Sequence, residues 1–277
     1  MTMDKEVQVV QLNMNRSSLA AVSLNERLKT LKGKYICLLT EPFRYKGKLA
    51  STPQRCHVVP DLDTVKDPRA SIISNLDLIE ISSLCTKDSA VAIIKHRGGK
   101  YLLVSLYMDI NLDIRGEHVS NILSYADKTN IPLLIGADTN SHTTLFGPDS
   151  NRRGVDLEEL ILNDGLRVEN VGMMPTYETV RGNKLIRTCI DVTLSRDLED
   201  KIMSWSVDNT YNGSDHNTIL FKLSHQAEDK KEERNWNEGR WLLMKNLLSQ
   251  ETFYEPEVVT EKKLDSCLLY TSPSPRD

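Results

Sequence analysis

The chain has 277 residues, of which 39% are hydrophobic and 27% charged, and its formal net charge is −4. A chain of this length and composition can bury a substantial core without disulfides or structural metals, which indicates one large domain or a domain with an appendage. The weak net charge excludes a protein with a strongly basic overall field, although a local basic rim would be enough to bind nucleic acid.

The cysteine pattern and the N-terminus bear on the cellular compartment. The five cysteines are scattered, and several lie in apolar runs such as YICLL and CIDVTL, which favours reduced, buried thiols. The first residues, MTMDKEVQVV, carry charges where a signal peptide would need an apolar stretch. No apolar run approaches the roughly 20 residues of a membrane span. We therefore expect a soluble, intracellular protein with no membrane segment.

Strand patterns and helical patterns are interspersed along the chain. EVQVVQL (6–12) and YICLLTE (35–41) predict strands, and apolar residues at helical spacing between them predict a helix. Asn15 or Ser17 would cap this helix and Gly33 would end it. Further strands are predicted at about 55–59, 70–74, 77–82, 89–95, 101–107, 132–138, 189–195, 204–208 and 217–223.

Two more helices are predicted, at 115–129 and at VDLEELILNDG (155–165), with surface loops at 42–53 and 139–153. Many strands with three helices spread between them indicate an α/β fold. In such a chain we expect two β-sheets to pack face to face.

The composition changes after Leu223. We predict a first domain at 1–223 and a mixed-charge linker at 224–265, in which WLLMKNLLSQ (241–250) would form a short amphipathic helix. The last residues, 266–277, have no periodicity and resemble translated read-through. We interpret them as non-native sequence or, alternatively, as a disordered tail.

Polar residues cluster where apolar strands end. They are Asn13 and Asn15, Glu41, Tyr107, Asp138 and Asn140, Asp191, and Asp215 with His216. Taken singly, each has an ordinary explanation as a turn residue, a cap or a solvated side chain. Asp191 is harder to explain, because a carboxylate buried between Ile190 and Val192 without a partner would cost several kcal/mol. Unless it faces outward it needs a committed partner, for which a histidine is the natural choice.

These side-chain types indicate phosphate-ester hydrolysis. The absence of a Cys pair and of a His-x-x-x-His motif argues against a zinc site. A few oxygen ligands suit Mg²⁺, which keeps several waters and takes one or two carboxylates together with substrate phosphate. A carboxylate to orient or deprotonate the attacking water, and donors to stabilise the added charge, complete the requirements of such a reaction.

In this order along the chain, QLNMN, TEP, SLYMD, GADTNSH, TCIDVTL and GSDHNTI resemble the endonuclease/exonuclease/phosphatase superfamily. More closely, they are similar to the apurinic-type endonuclease domain of non-LTR (LINE-type) retrotransposons, over about residues 6–223. The resemblance implies a four-layer α/β sandwich, in which two mixed β-sheets pack face to face with helices outside, as in DNase I. It also implies an Mg²⁺-dependent enzyme, with Mn²⁺ as an alternative, that nicks double-stranded DNA.

The resemblance also implies catalytic roles. Asp138 would orient and activate the attacking water, and Asn140 would hold the phosphate or that water. His216 would bond the scissile phosphate and be oriented by Asp191, while Tyr107 would contact the phosphate or assist the leaving group.

Metal and DNA contacts are implied as well. Glu41 would bind the metal, with Asn13 and Asp215 nearby. The nucleic-acid-binding residues predicted from the sequence are Asn15, Arg152, Arg153 and Arg187.

The segment ERNWNEGRW resembles the linker that leads to a reverse transcriptase in such elements. We therefore expect this chain to be the N-terminal part of a longer polyprotein, with the reverse transcriptase as its partner. Its nick would leave a 3′-hydroxyl for target-primed reverse transcription of chromosomal DNA in the nucleus. Two alternatives remain: a phosphatase of the same superfamily acting on a small or lipid phosphate, and a non-catalytic DNA-binding remnant. Clustered carboxylates argue against the remnant.

Overall fold

The computed structural model describes residues 6–50, 52–61, 63 and 65–224. The predicted linker beyond Ser224, the predicted helix at 241–250 and the tail at 266–277 lie outside these residues. In chain order the elements are β1 (Glu6–Asn13), α1 (Ser18–Thr30), β2 (Lys34–Thr40), β3 (Arg44–Tyr45), β4 (Lys48–Leu49), β5 (His57–Val59), β6 (Ala70–Ser74), β7 (Leu78–Glu80), β8 (Ser89–His96), β9 (Gly99–Tyr107), α2 (Glu117–Thr129), β10 (Leu133–Asp138), α3 (Arg152–Asn163), β11 (Arg167–Val168), β12 (Tyr177–Arg181), β13 (Lys184–Thr188), β14 (Asp191–Arg196), β15 (Ile202–Asp208) and β16 (Thr218–Ser224).

Two six-stranded mixed sheets form the centre of the fold. The first has the strand order β15-β16-β1-β2-β6-β5 and the second β11-β14-β10-β9-β8-β7. β1 runs parallel to β2, and β9 runs parallel to β10, so each sheet has a central parallel pair flanked by antiparallel strands. The predicted α/β sandwich of two mixed sheets is therefore confirmed.

Alternation along the strands separates two buried regions. Val9 and Leu38 belong to the large core that the two sheets share, whereas Val10 and Leu39, the next residues along, pack with α1 on the outer side of the first sheet. α2 and α3 bury their apolar residues in the large core with the second sheet. The result is the four-layer arrangement that the sequence predicts.

Helix α1 shows how local sequence sets an element. Ser17 is its N-cap, and the Ser17 side chain accepts a hydrogen bond from the Ala20 N–H. Leu24 and Leu28 are four residues apart and buried on one face. Ser17 rather than Asn15 is therefore the cap, and the helix ends three residues before Gly33.

The structure contains a hairpin, β12–β13, where the sequence predicts no element. Its residues are exposed or only partly buried, so its side chains lack the buried apolar alternation by which a strand is recognised. The predicted loop at 42–53 likewise contains the short β3–β4 pair. None of the helices in the described part of the chain is long and apolar enough to cross a membrane.

The start of α3 packs closely against the loop that follows β10. Asn151 caps α3 by accepting the Gly154 N–H at 2.7 Å, and its own N–H donates to the His142 carbonyl at 3.0 Å. A Cβ atom placed on Gly154 would lie 1.7 Å from that carbonyl oxygen. Glycine is therefore required at this position, because it lets the helix hold the loop that carries Asn140.

We expect Gly154→Ala to destabilise the protein at the upper end of the roughly 1–3 kcal/mol that overpacking costs, because the clashing atom belongs to the backbone. Urea denaturation measures this change. Gly147→Ala is the matched control, since its nearest Cβ contact would be an ordinary 3.4 Å. Equal stability of the two variants would contradict the close contact.

Candidate active site

The strand registers bring three predicted residues side by side. Asp138 ends β10 and is paired with Tyr107 on parallel β9 and with Asp191 on antiparallel β14. In the other sheet, Asn13 at the end of β1 is paired with Thr40, which directly precedes Glu41. These strand ends lie at one edge of the sandwich, as the sequence predicts.

A hydrogen bond joins the two sheets at this edge. The Asn13 Nδ2 donates to Asp138 Oδ2 at 2.8 Å, and both side chains are buried. The Asn13 Oδ1 accepts the Asn15 N–H at 2.8 Å, so both ends of the carboxamide are oriented. The other carboxylate oxygen of Asp138 accepts the Asn140 N–H at 3.1 Å, which is an Asx turn. Asp138 thus has a structural role in addition to any chemical one.

His216 is held by Asp191, the partner that the buried carboxylate requires. The His216 Nδ1 lies 2.8 Å from Asp191 Oδ2, and the two side chains are only 7% and 4% exposed. The Tyr177 ring packs edge-on against the imidazole, with centroids 4.9 Å apart. Tyr177 and His216 also form an isolated antiparallel bridge. With Nδ1 committed, Nε2 is the ring nitrogen left to meet a substrate in the cleft.

Burial and nearby charges shift the pKa values of Asp138 and His216. Burial raises the pKa of Asp138 to about 7, and the charge of Asp191 adds to the rise. Burial lowers the pKa of His216, but the charge of Asp191 and the bond to it outweigh burial and bring it to about 9. The imidazole therefore holds its proton more firmly than a free histidine, and Asp138 binds a proton more readily than a solvated carboxylate. A carboxylate with a raised pKa is suited to accept a proton.

Glu41 has an unusual backbone conformation. Its φ is 42°, in the left-handed region that costs a glutamate roughly 1–3 kcal/mol. Its N–H donates to the Arg69 carbonyl at 2.7 Å, and its carbonyl accepts the Arg16 N–H at 2.8 Å. The surrounding chain therefore holds the strain, which directs the Glu41 side chain into the cleft.

Glu41, Asn13 and Asp215 fit a hard divalent cation. All three supply oxygen atoms and line the same cleft, and oxygen ligands are those that Mg²⁺ and Mn²⁺ prefer. Glu41 Oε1 lies 3.7 Å from Nε of the exposed Arg16, a loose ion pair that a cation could displace.

A second acidic group lies nearby. Among the described residues, candidate ligand atoms of Asp138, Asp191 and His216 lie within 4.8 Å of one another. The His216 Nδ1 and Asp191 already bond each other, so we interpret this group as the acid–imidazole part of the site rather than as its metal side.

A cleft of about 420 Å³ contains most of the predicted site. Eight predicted residues line it: Asn13, Asn15, Glu41, Tyr107, Asp138, Asn140, Asp215 and His216. Asp191 lies directly behind His216. The structure thus brings together every predicted catalytic and metal-binding residue.

The three predicted arginines do not line this cleft. Arg152 is 94% exposed and lies beside a different depression with Asp156. Arg153 donates to four main-chain carbonyls, among them those of Thr139 and Asp109, so its guanidinium braces the loops behind the site. Arg187 bonds Glu178 at 3.1 Å. These positions give no support to the predicted DNA contacts of the three arginines.

Four lining residues of the β12–β13 hairpin were missed as site residues: Tyr177, Arg181, Ile186 and Thr188. On β12, Tyr177 and Arg181 are four residues apart and therefore lie on one face, whereas Glu178 and its partner Arg187 lie on the other. Had the hairpin been recognised in the sequence, the alternation of side chains along its strands would have placed Arg181, and not Arg187, on the face with Tyr177.

Arg69 was also missed. It bonds Asp88 and Asp109, and its guanidinium carbon lies 4.5 Å from the centre of the Tyr107 ring. Burial raises the pKa of Tyr107, as do nearby carboxylates, whereas the charge of Arg69 lowers it. In the sequence, Arg69 follows a proline in a short connection, and nothing there indicates its partners.

Comparison with known proteins gives one family-model match and several structures that share this fold. Residues 101–220 match the family model described as endonuclease-reverse transcriptase. The endonuclease domain of TRAS1, a telomere-specific non-LTR retrotransposon, is 28% identical; the match covers 79% of this chain and 99% of that domain, with a TM-score of 0.67. None of the curated proteins is a significant match.

More distant structures share the fold alone. An endonuclease/exonuclease/phosphatase family protein from Leptotrichia buccalis is 13% identical, with a TM-score of 0.57, and the match covers 79% of this chain and 99% of that one. TDP2 from D. rerio, complexed with a single-strand DNA product, is 12% identical, with a TM-score of 0.54 and coverage of 80% and 100%.

The bonds that Asp109 accepts beside the site predict that the stability of the protein depends on pH. Bonds from Asn111 and Arg69 lower the pKa of Asp109. A depressed carboxylate pKa contributes stability that is present above the unfolded value, about 3.9, and is lost as the pH falls below it. Asp109→Asn should therefore destabilise the protein at pH 7, and the penalty should shrink only as the pH falls below about 4. Urea denaturation at pH 7 and at about pH 3 measures the difference. A penalty independent of pH would contradict the ionic contribution.

Proposed function

We propose that this chain is a member of the endonuclease/exonuclease/phosphatase superfamily and acts as a divalent-metal-dependent endonuclease that nicks one strand of double-stranded DNA. One observation carries the proposal. Glu41, Asp138 and His216, which are far apart in the sequence, face a single cleft in a chain that aligns with nearly all of a retrotransposon endonuclease domain.

The proposed chemistry divides between the two sides of the cleft. Asp138 accepts the proton of the attacking water, for which its raised pKa is suited, and Asn140 helps to orient that water or the phosphate. The protonated His216 donates from Nε2 to the phosphate oxygen on which charge develops, while Asp191 fixes the ring. Tyr107 contacts the phosphate from the neighbouring strand.

The oxygen-bearing residues of the cleft are the reason for proposing a divalent metal. Glu41, with Asn13 and Asp215, would hold Mg²⁺ or Mn²⁺, which would neutralise phosphate charge and polarise the scissile bond. Four carboxylates at or behind this cleft would otherwise repel a phosphodiester. Arg181, on the cleft face of the hairpin, adds a cationic group for the DNA backbone.

The likeness to a retrotransposon endonuclease supports a place in target-primed reverse transcription. The nick would leave a 3′-hydroxyl that a reverse transcriptase of the same polyprotein extends, and this work on chromosomal DNA would take place in the nucleus. A hydrolase that acts on a small or lipid phosphate would use the same catalytic residues, so the substrate has to be tested directly.

We expect the chain to convert supercoiled plasmid to relaxed circles with Mg²⁺ and not with EDTA. Asp138→Asn should lower the rate about 10²–10⁴-fold, because it removes the general base while keeping the side-chain shape. Its single carboxamide oxygen can keep the bond from Asn13 or the bond from the Asn140 N–H, but not both. His216→Gln should lower it about 10²–10³-fold. Agarose gels measure the nicking rate.

Lys29→Ala is a control, since Lys29 forms an exposed ion pair with Glu26 on α1 and should leave nicking unchanged. Equal rates for the parent and Asp138→Asn would refute the proposal. Faster turnover of inositol phosphates than of plasmid would favour the phosphatase.

The chemistry of the ends is a separate prediction. Because the nick is proposed to prime synthesis, a DNA polymerase should extend the nicked strand without prior phosphatase treatment, as measured by incorporation of labelled nucleotide at the nick. A requirement for phosphatase treatment would reveal a 3′-phosphate and would exclude the priming role.

A further inference from the structure

Arg69 forms a rigid ionic group beneath the cleft. It directly precedes β6, and its side chain is 15% exposed. Its Nε and Nη2 donate to the two oxygens of Asp88 at 2.5 and 2.8 Å, and its Nη1 lies 2.8 Å from Asp109 Oδ2. Three bonds to two carboxylates leave the guanidinium plane no freedom to rotate.

The Tyr107 ring lies against this guanidinium group. The guanidinium carbon of Arg69 is 4.5 Å from the ring centroid, within the range of a cation–π contact. A main-chain hydrogen bond also joins Tyr107 to Asp88, the partner of Arg69: the Tyr107 N–H donates to the Asp88 carbonyl at 2.8 Å. One side of the phenol ring is therefore supported by a group that is itself immobile.

Arg69 also connects the two sheets. Its carbonyl accepts the Glu41 N–H at 2.7 Å, at the end of β2, and its side chain reaches Asp88, which precedes β8 of the other sheet. The strained backbone of Glu41 and the ring of Tyr107 thus depend on the same residue.

We infer that Arg69 is a positioning residue for the proposed hydrolysis: its fixed guanidinium plane holds the Tyr107 ring so that the hydroxyl faces the scissile phosphate. The inference rests on the proposed function. Arginine is required because only a planar group can bond a carboxylate through two nitrogens and also present a flat face to a ring. A lysine would supply the positive charge but not the planar group.

The test is a double-mutant cycle in the plasmid-nicking assay with Arg69→Lys, Tyr107→Phe and the combined variant. We expect Arg69→Lys to lower kcat about 10-fold with KM changed less than about 3-fold, a range typical of a buried cation–π contact. In the Tyr107→Phe background the same replacement should have almost no further effect on kcat, because the hydroxyl that it positions is gone.

Two controls separate positioning from folding. Arg196→Lys alters a partly buried ion pair with Asp127 at the opposite end of β14 from Asp191, and should leave kcat unchanged. Thermal denaturation reports the stability of each variant. Should Arg69→Lys fail to fold, Arg69→Gln combined with Asp88→Asn removes the cation together with its main counter-ion and takes its place in the cycle.

Additive losses of kcat in the cycle would overturn the inference, because Arg69 would then act independently of the Tyr107 hydroxyl. An unchanged kcat in folded Arg69→Lys would overturn it as well. Absence of nicking by the parent chain is a different result: it refutes the proposed function, and this inference falls with it.

Discussion

The bond between Asn13 and Asp138 is the contact on which the site depends. It joins the end of β1 in one sheet to the end of β10 in the other, at 2.8 Å and shielded from water. A buried carboxylate that lacks a donor is costly, so the contact stabilises the closed edge of the sandwich. Because β9 and β14 flank β10 in the second sheet, strand register places Tyr107 and Asp191 beside Asp138.

Burial at this edge also shifts the pKa values of its ionisable groups. Asp138 and Asp191 lie in adjacent register, and two carboxylates so close together oppose each other's ionisation. The imidazole of His216 relieves this by staying protonated, with Asp191 as its partner. Asp138 retains a raised pKa. One fold thus supplies a proton acceptor and a proton donor a few ångströms apart, an arrangement typical of acid–base sites.

The arginines near the site differ in function because their burial differs. Arg153 spends its donors on main-chain carbonyls of the loops behind the cleft, and Arg69 spends its donors on Asp88 and Asp109. Both guanidinium groups stabilise the shape of the cleft, because their donors bond other groups of the chain. Arg181, by contrast, is exposed and lines the cleft itself. The presence of an arginine near the cleft in sequence is therefore a poor guide to whether it lines the cleft.

The sequence by itself determined most strands of the two large sheets, the three helices and the need of Asp191 for a partner, because these follow from periodicity, caps and the free energy of burying a charge. The family resemblance named His216 as that partner. Only the tertiary structure decided that Arg153 turns inward and that an exposed hairpin brings Tyr177 and Arg181 to the cleft. Local patterns report whether a residue is buried. They do not report which distant segment it meets, and that is set by strand order and register across two sheets.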